Sequence, residues 1–245
     1  MLNLIRAELY RFRNSGGFLF WMIIVSVLGI TSIFSLDLNA LDADLGTTML
    51  NMMQLVYNLV IIGAGTMLTI FIGVVYNNRM AYYEIMGGNP PHKIILSRVL
   101  SLGIISAFII YIPSAAFLLF TYIRNGKGIV EDPLMLFILM FVITLHTTIS
   151  FILYAMLGRN LVIASFVPYV RFGILDMIVY LMIAQEFENL KDNKLLYLTT
   201  NSQLNNLSLL SGDKELIAVV ILSALIECAV LYVLVYLVYK NKKFK

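Results

Sequence analysis

The sequence predicts an all-α polytopic membrane protein with six transmembrane helices, and three observations lead there. Hydrophobic residues make up 60% of the 245 and charged residues only 13%, with a mean hydropathy of +0.90; soluble domains are closer to half apolar and a quarter charged. The apolar residues run unbroken for about 20 positions at a time, the length of a crossing helix, whereas barrel strands would be about 10 long and alternate in polarity. The basic residues, finally, fall mostly on one side of the layout these runs impose.

The chain opens with Leu2, Ile5, Leu9 and Phe12 at helical spacing, while Arg6, Glu8, Arg11 and Arg13 fall mostly elsewhere. That stripe predicts residues 1–14 as an N-terminal interfacial elbow helix; a basic anchor that merely extends the first span is the alternative. "NSGG" at 14–17 allows a bend into span one, 14–36. Arginines before an apolar run also suit a secretory signal, but this run is too long and no small-x-small cleavage pattern closes it, so it reads as a retained helix.

Span two is the inner part of 45–78, where Gly65, Thr69 and Gly73 recur every four positions. Small residues at that spacing let another helix approach closely, either within the chain or from a second subunit. Span three is 99–123 and span four 133–158, joined by the turn "RNGKGIVEDP" with Gly126 and Gly128 as breakers and Pro133 at a first-turn position. Only "GRN", 158–160, separates span four from span five, 160–185, which predicts a tight hairpin. About thirty residues, 185–215, precede span six at 216–239; their Asn, Ser and Thr content among apolar positions predicts short helices dipping into the outer interface, with an unstructured loop as the alternative.

Six spans place both termini on one side. That side carries Arg6, Arg11, Arg13, Arg79, Lys93, Arg98, Arg159, Lys240, Lys242, Lys243 and Lys245, eleven of the seventeen basic residues, while the opposite side holds most of the acids, Asp37, Asp42 and Asp44 among them. By the positive-inside rule the termini are cytoplasmic.

Chemistry-bearing motifs are sparse. "GGNPPHK" lacks both the spacing and the Ser or Thr of a phosphate-cradling loop. HExxH, GxSxG and paired acids on one helix face are absent as well, so no catalytic residue is assigned. His92 and His146 have no metal-ligand partners nearby in sequence, and the single Cys228 excludes a disulfide within one chain. No cofactor and no nucleic acid is expected on this chain.

Four ionisable residues lie within the spans. Arg171, Glu227 and His146 each sit roughly 18 to 20 Å from their span ends, near the midplane. An Arg171 and Glu227 ion pair between spans five and six is expected, either purely structural or lining a substrate path. Asp176, five residues from Arg171, has a poor helical spacing for contact, although Pro168 can kink that span.

Between spans two and three, "NNRMAYYEIMGGNPPHKIILSR" forms a knuckle. Gly87, Gly88, Asn89, Pro90 and Pro91 forbid a continuous helix, while Met80 to Met86 can make roughly two turns. Tyr82, Tyr83 and Met86, beside Arg79 and Glu84, suit a docking element better than a solvated loop, with aromatics resting at headgroup level as the alternative.

The elbow, the six spans, the knuckle with "YYEIMGG" followed by "ILSR", and the long outer segment together resemble the membrane subunits of ABC-2 type (type V) ABC exporters, over nearly the whole chain. The resemblance implies that residues 80–91 are a coupling helix seated on a separate ATPase subunit, with Arg79, Tyr82, Tyr83, Glu84 and Met86 as its contacts. It implies two ATPase copies, which hold the ATP and Mg²⁺, and a second permease subunit, identical or paralogous, in a bacterial cytoplasmic membrane. This chain has no fused nucleotide-binding domain and no large extracellular domain; compact permeases of this size are similar to Gram-positive exporters of antimicrobial or toxic peptides. An apolar path with few charges suits an amphipathic or hydrophobic cargo. Two rivals stand beside it: a secondary transporter or channel using Arg171, Asp176, Glu227 and His146, and a membrane immunity protein that sequesters a peptide without transport.

Overall fold

The computed structural model describes residues 1–31, 60–75, 80–125, 133–158, 162–163, 166, 169–186, 194–205 and 212–241. Every regular element among them is helical. In chain order they are α1 (Leu2–Asn14), α2 (Gly16–Thr31), α3 (Val60–Val75), α4 (Met80–Met86), α5 (Pro91–Arg98), a wide π-helical turn (Val99–Gly103), α6 (Ile104–Asn125) and α7 (Pro133–Gly158). A second π-helical turn (Tyr169–Leu175) leads into α8 (Asp176–Glu186), a 3₁₀ turn (Lys194–Leu198), α9 (Thr200–Asn205) and α10 (Lys214–Asn241).

Among the described residues, three helices are long and apolar enough to cross a membrane: Pro91–Ala116, Leu134–Gly158 and Lys214–Lys240, of 26, 25 and 27 residues. At 1.5 Å per residue each extends about 37 to 40 Å, more than a hydrocarbon core of about 30 Å. The chain is thus a helical, multi-pass membrane protein by the length and composition of its helices. The apolar parts of α2 (Gly16–Val27) and α3 (Val60–Val75) are shorter, and the stretch 32–59 that would complete spans one and two lies outside the described residues. So do the turn 126–132, Arg159, Asn160 and Pro168.

The helix that carries the third span begins before the span's apolar run. Pro90 is extended, Pro91 takes the first helical position, and the helix then continues through the π turn into α6. Lys93 and Arg98 had marked this segment as lying before the span, but Arg98 is buried by ion pairs described below. A π turn widens the helix and loosens its carbonyls; here Thr148 of α7 donates its hydroxyl to the Gly103 carbonyl at 3.3 Å, supplying across the interface what the turn gives up.

α7 is the central helix. Leu136, Leu139, Met140, Ile143, Phe151, Ile152 and Met156 are buried in one core with Leu102 and Ile110 on the α6 side, and with Val220, Leu231 and Val235 on α10. On α3, a Cβ built on Gly65 would come within 2.4 to 2.6 Å of ring carbons of Phe151, so the small residue there serves intrachain packing. Thr69 bonds back to the Thr66 carbonyl at 2.8 Å. α10, by contrast, turns Leu222, Leu225, Ile226, Val230 and Val233 outward, as a helix facing lipid does.

In the outer segment the described residues form short helices, as expected, and Tyr197, Thr199, Thr200, Ser202 and Gln203 are buried. Gln203 donates to the Tyr197 carbonyl at 2.7 Å and to Ser223 Oγ of α10 at 3.1 Å, which ties the segment into the bundle. On α1, Phe12 of the apolar stripe is buried, Ile5 and Leu9 are half-buried and Leu2 is exposed; Glu8 is buried beside them because it finds partners inside.

Candidate functional site

Two sets of charged side chains are buried in the bundle, one at the end where α1, α4 and α5 meet and one between α7 and α10.

The first is built on Arg98, whose side chain is 1% exposed. Its planar guanidinium reaches three elements: Nε donates to Glu8 Oε1 of α1 at 3.0 Å, Nη2 to Glu84 Oε2 of α4 at 2.7 Å, and Nη1 to the Tyr239 hydroxyl of α10 at 3.4 Å. Arg11 closes the ring, donating to Glu84 Oε1 at 2.6 Å and to Glu8 Oε1 at 3.3 Å. Two carboxylates thus face two guanidiniums, the composition that lets charge survive in a low-dielectric interior. A lysine at 98 could not serve three partners in one plane.

Local structure places Glu84 for this. α4 ends in a tight turn: Gly87 N–H donates to the Tyr83 carbonyl at 2.9 Å, Gly88 N–H to that of Ile85 at 3.0 Å, and Asn89 Nδ2 to that of Glu84 at 3.1 Å. Gly88 adopts φ of +78°, a conformation that L side chains disfavour. The chain therefore reverses at once into α5, and α4 lies against α1 and the start of the third span.

Of the residues expected to contact an ATPase, Tyr83 and Met86 are both 68% exposed. They sit three apart on one helical face. Glu84 points the other way, with its side chain 9% exposed, and is an internal tie. Arg79 and the side chain of Tyr82 lie outside the described residues. Sequence reasoning missed the partnership of Glu8, Arg11 and Tyr239 with Glu84 and Arg98. One signal was available: Glu8 is the single acid in a basic helix, on the same face as Phe12 and Leu4.

The second set brings together all four ionisable residues of the spans. Arg171 Nη2 donates to Glu227 Oε2 at 3.0 Å, and Arg171 Nη1 also pairs with Asp176. The Arg171 to Asp176 contact corrects the expectation drawn from their spacing. Residues 169–175 form a π-helical turn, whose i to i+5 pattern brings positions five apart onto one side. Tyr154 of α7 donates its hydroxyl to Glu227 Oε1 at 3.2 Å. His146 Nε2 lies 3.3 Å from Glu227 Oε2, within ion-pair range but off hydrogen-bond geometry, and neither of its ring nitrogens has a hydrogen-bond partner among the described residues.

Aromatic rings wall this set. The Arg171 guanidinium sits 5.4 Å from the Phe172 ring centre, and Phe172 stacks on Phe151 at 4.9 Å. Such a face favours a cation and shields it from lipid. The arrangement can hold charge inside the bundle and redistribute it between carboxylates. Among the described residues, no three of His, Cys, Asp and Glu converge as metal ligands.

Compared with protein-family models and with curated proteins, the sequence matches none.

Proposed function

We propose that this chain is the membrane-spanning permease subunit of an ATP-driven exporter of the ABC-2 kind, moving an amphipathic or hydrophobic substrate such as a peptide or toxin out of the cell. In this reading the chain crosses a bacterial cytoplasmic membrane six times with both ends inside, and α1 is the interfacial elbow. Two separate ATPase subunits supply the energy, and a second permease, identical or paralogous, completes the path.

The observation that carries the reading is the two-faced character of α4. Its outer face offers Tyr83 and Met86 to a partner, while its inner face is fixed through Glu84 to α1 and to the third span at Arg98. A push on α4 from a nucleotide-driven partner would thus reach a membrane-crossing helix through charge-assisted hydrogen bonds of 2.6 and 2.7 Å, which are short and directional. Packed elements of this kind move as rigid bodies.

The test is affinity purification of this chain from its native membrane, identification of any ATPase that comes with it, and reconstitution of the two with measurement of ATP turnover. Truncating the exposed face with Tyr83→Ala and Met86→Ala is expected to weaken association at least tenfold, as loss of about 1.4 kcal/mol or more at an interface does. A chain that binds no ATPase, or binds it equally well with both truncations, would overturn the proposal.

A further inference from the structure

The set around Glu227 contains a group that neither stability nor the exporter reading uses. Buried polar groups in membrane proteins are satisfied almost without exception, because the hydrocarbon offers no water to replace a missing partner. Three threonine hydroxyls of α7 follow that rule: Thr144, Thr147 and Thr148 each bond to a backbone carbonyl at 2.7 to 3.0 Å, whereas Ser150 Oγ has no hydrogen-bond partner among the described residues. His146, on the same helix and with its side chain 4% exposed, does not follow it either. Neither ring nitrogen has a hydrogen-bond partner among the described residues, and Nε2 lies 3.3 Å from the Glu227 carboxylate.

A neutral imidazole carries one N–H and one lone pair. With the N–H on Nε2, facing Glu227, the lone pair sits on Nδ1. A proton taken up there from a hydronium ion, which leaves as water, makes an imidazolium and breaks no bond within the protein. The contact with Glu227 then becomes an ion pair between full charges. Arg171, which in the neutral form serves both Glu227 and Asp176, can be released from one of them.

We propose that His146 and Glu227 form a one-proton binding site at the centre of the bundle, and that its occupancy decides whether Arg171 bridges α10 to Asp176 or pairs with Asp176 alone. Charge supports it. With His146 neutral the four side chains His146, Arg171, Asp176 and Glu227 sum to one negative charge, and with His146 protonated they sum to zero, the form a low-dielectric setting prefers. Among the described residues, the other titratable groups that meet Glu227 are Tyr154 on the same helix as His146 and Cys228 beside Glu227; α3 over 60–75 and α6 over 104–116 bring no charged residue. Because Arg171 belongs to the π turn and Glu227 to α10, moving that one contact loosens α10 from the segment before α8. The bundle's packing is then linked to the proton concentration of whichever aqueous phase reaches the site.

The experiment uses the full chain in lipid nanodiscs without any ATPase, so its outcome is independent of the exporter reading. The chain has two histidines; His92→Gln, an exposed position, leaves His146 as the only imidazole. With ¹⁵N-histidine and ¹⁵N-arginine labels, the imidazole signals are expected to pass from neutral to imidazolium as pH falls through the range of about 5 to 8 in which histidines act as switches. The Arg171 guanidinium signals, identified by their loss in Arg171→Lys, are expected to move with the same midpoint. In Glu227→Gln the two titrations separate, and the Arg171 signals no longer follow the imidazole. An imidazole that keeps a single form across the range overturns the proposal, as do Arg171 signals that stay fixed while it titrates. If Glu227→Gln does not fold, the two wild-type titrations decide the matter by themselves.

Discussion

Arg98 shows how far one side chain can reach when it is planar and buried. Removing it leaves Glu8 and Glu84 to share Arg11 alone, two carboxylates for one cation, and buried charge left uncompensated costs about 3–5 kcal/mol. Arg98→Ala is therefore expected to lower the stability of the detergent-solubilised chain by roughly that amount. Arg98→Lys should fall between it and wild type, since an ammonium can serve one carboxylate well but lacks the three-way fork. Neutralising the whole network, with Arg98→Met, Glu8→Gln and Glu84→Gln together, is expected to be less damaging than Arg98→Ala, because no buried charge is stranded; Arg11, part-exposed, can turn to water. Unfolding curves in a graded denaturing detergent measure all three. A triple variant less stable than Arg98→Ala would show that the pairs themselves, rather than the avoidance of isolated charge, hold α1 and α4 in place.

At the scale of elements, the turn between α4 and α5 was the most legible part of the chain. Two glycines followed by two prolines can only interrupt a helix, and α4 ends at Met86 as those residues require. Gly88 is where that turn is most exposed to change: nothing lies within 4 Å of a Cβ placed there, so a substitution meets no neighbour and pays only for its φ of +78°. Gly88→Ala is expected to cost roughly 1 kcal/mol, and Gly88→Asn less, because asparagine tolerates this backbone region. Hydrogen exchange should show the amides of Met80–Met86 opening faster in the alanine variant and near the wild-type rate in the asparagine one. The π turns were illegible for the opposite reason. Nothing in "VLSLG" or "YVRFGIL" departs from ordinary helical composition, yet each changes which positions share a face. Hence the Arg171 to Asp176 contact was missed, as was the burial of Arg98, which depends on Glu8, ninety positions earlier. Pairing across such distances leaves no local periodicity to read.

Across the whole molecule, α10 joins the two buried sets, with Tyr239 at one and Glu227 about 18 Å along the same helix at the other. Depth in the spans and charge marked Arg171 and Glu227 as partners, but only the folded bundle shows that Arg171 is shared. That sharing changes what a charge swap must do. If Arg171 and Glu227 formed an isolated pair, exchanging them as Arg171→Glu with Glu227→Arg would restore the attraction lost in either single change. Here the swapped glutamate would lie against Asp176, which pairs with the native arginine and is 1% exposed, and two buried carboxylates in contact repel. The double exchange is therefore expected to recover little of the several kcal/mol lost on reversing Arg171 alone, whereas adding Asp176→Asn recovers most of it. Folded yield in the membrane and thermal unfolding in detergent both report the difference. Full rescue by the double exchange, with Asp176 unchanged, would mean that Arg171 belongs to Glu227 alone and that the π turn does not bring Asp176 into the set.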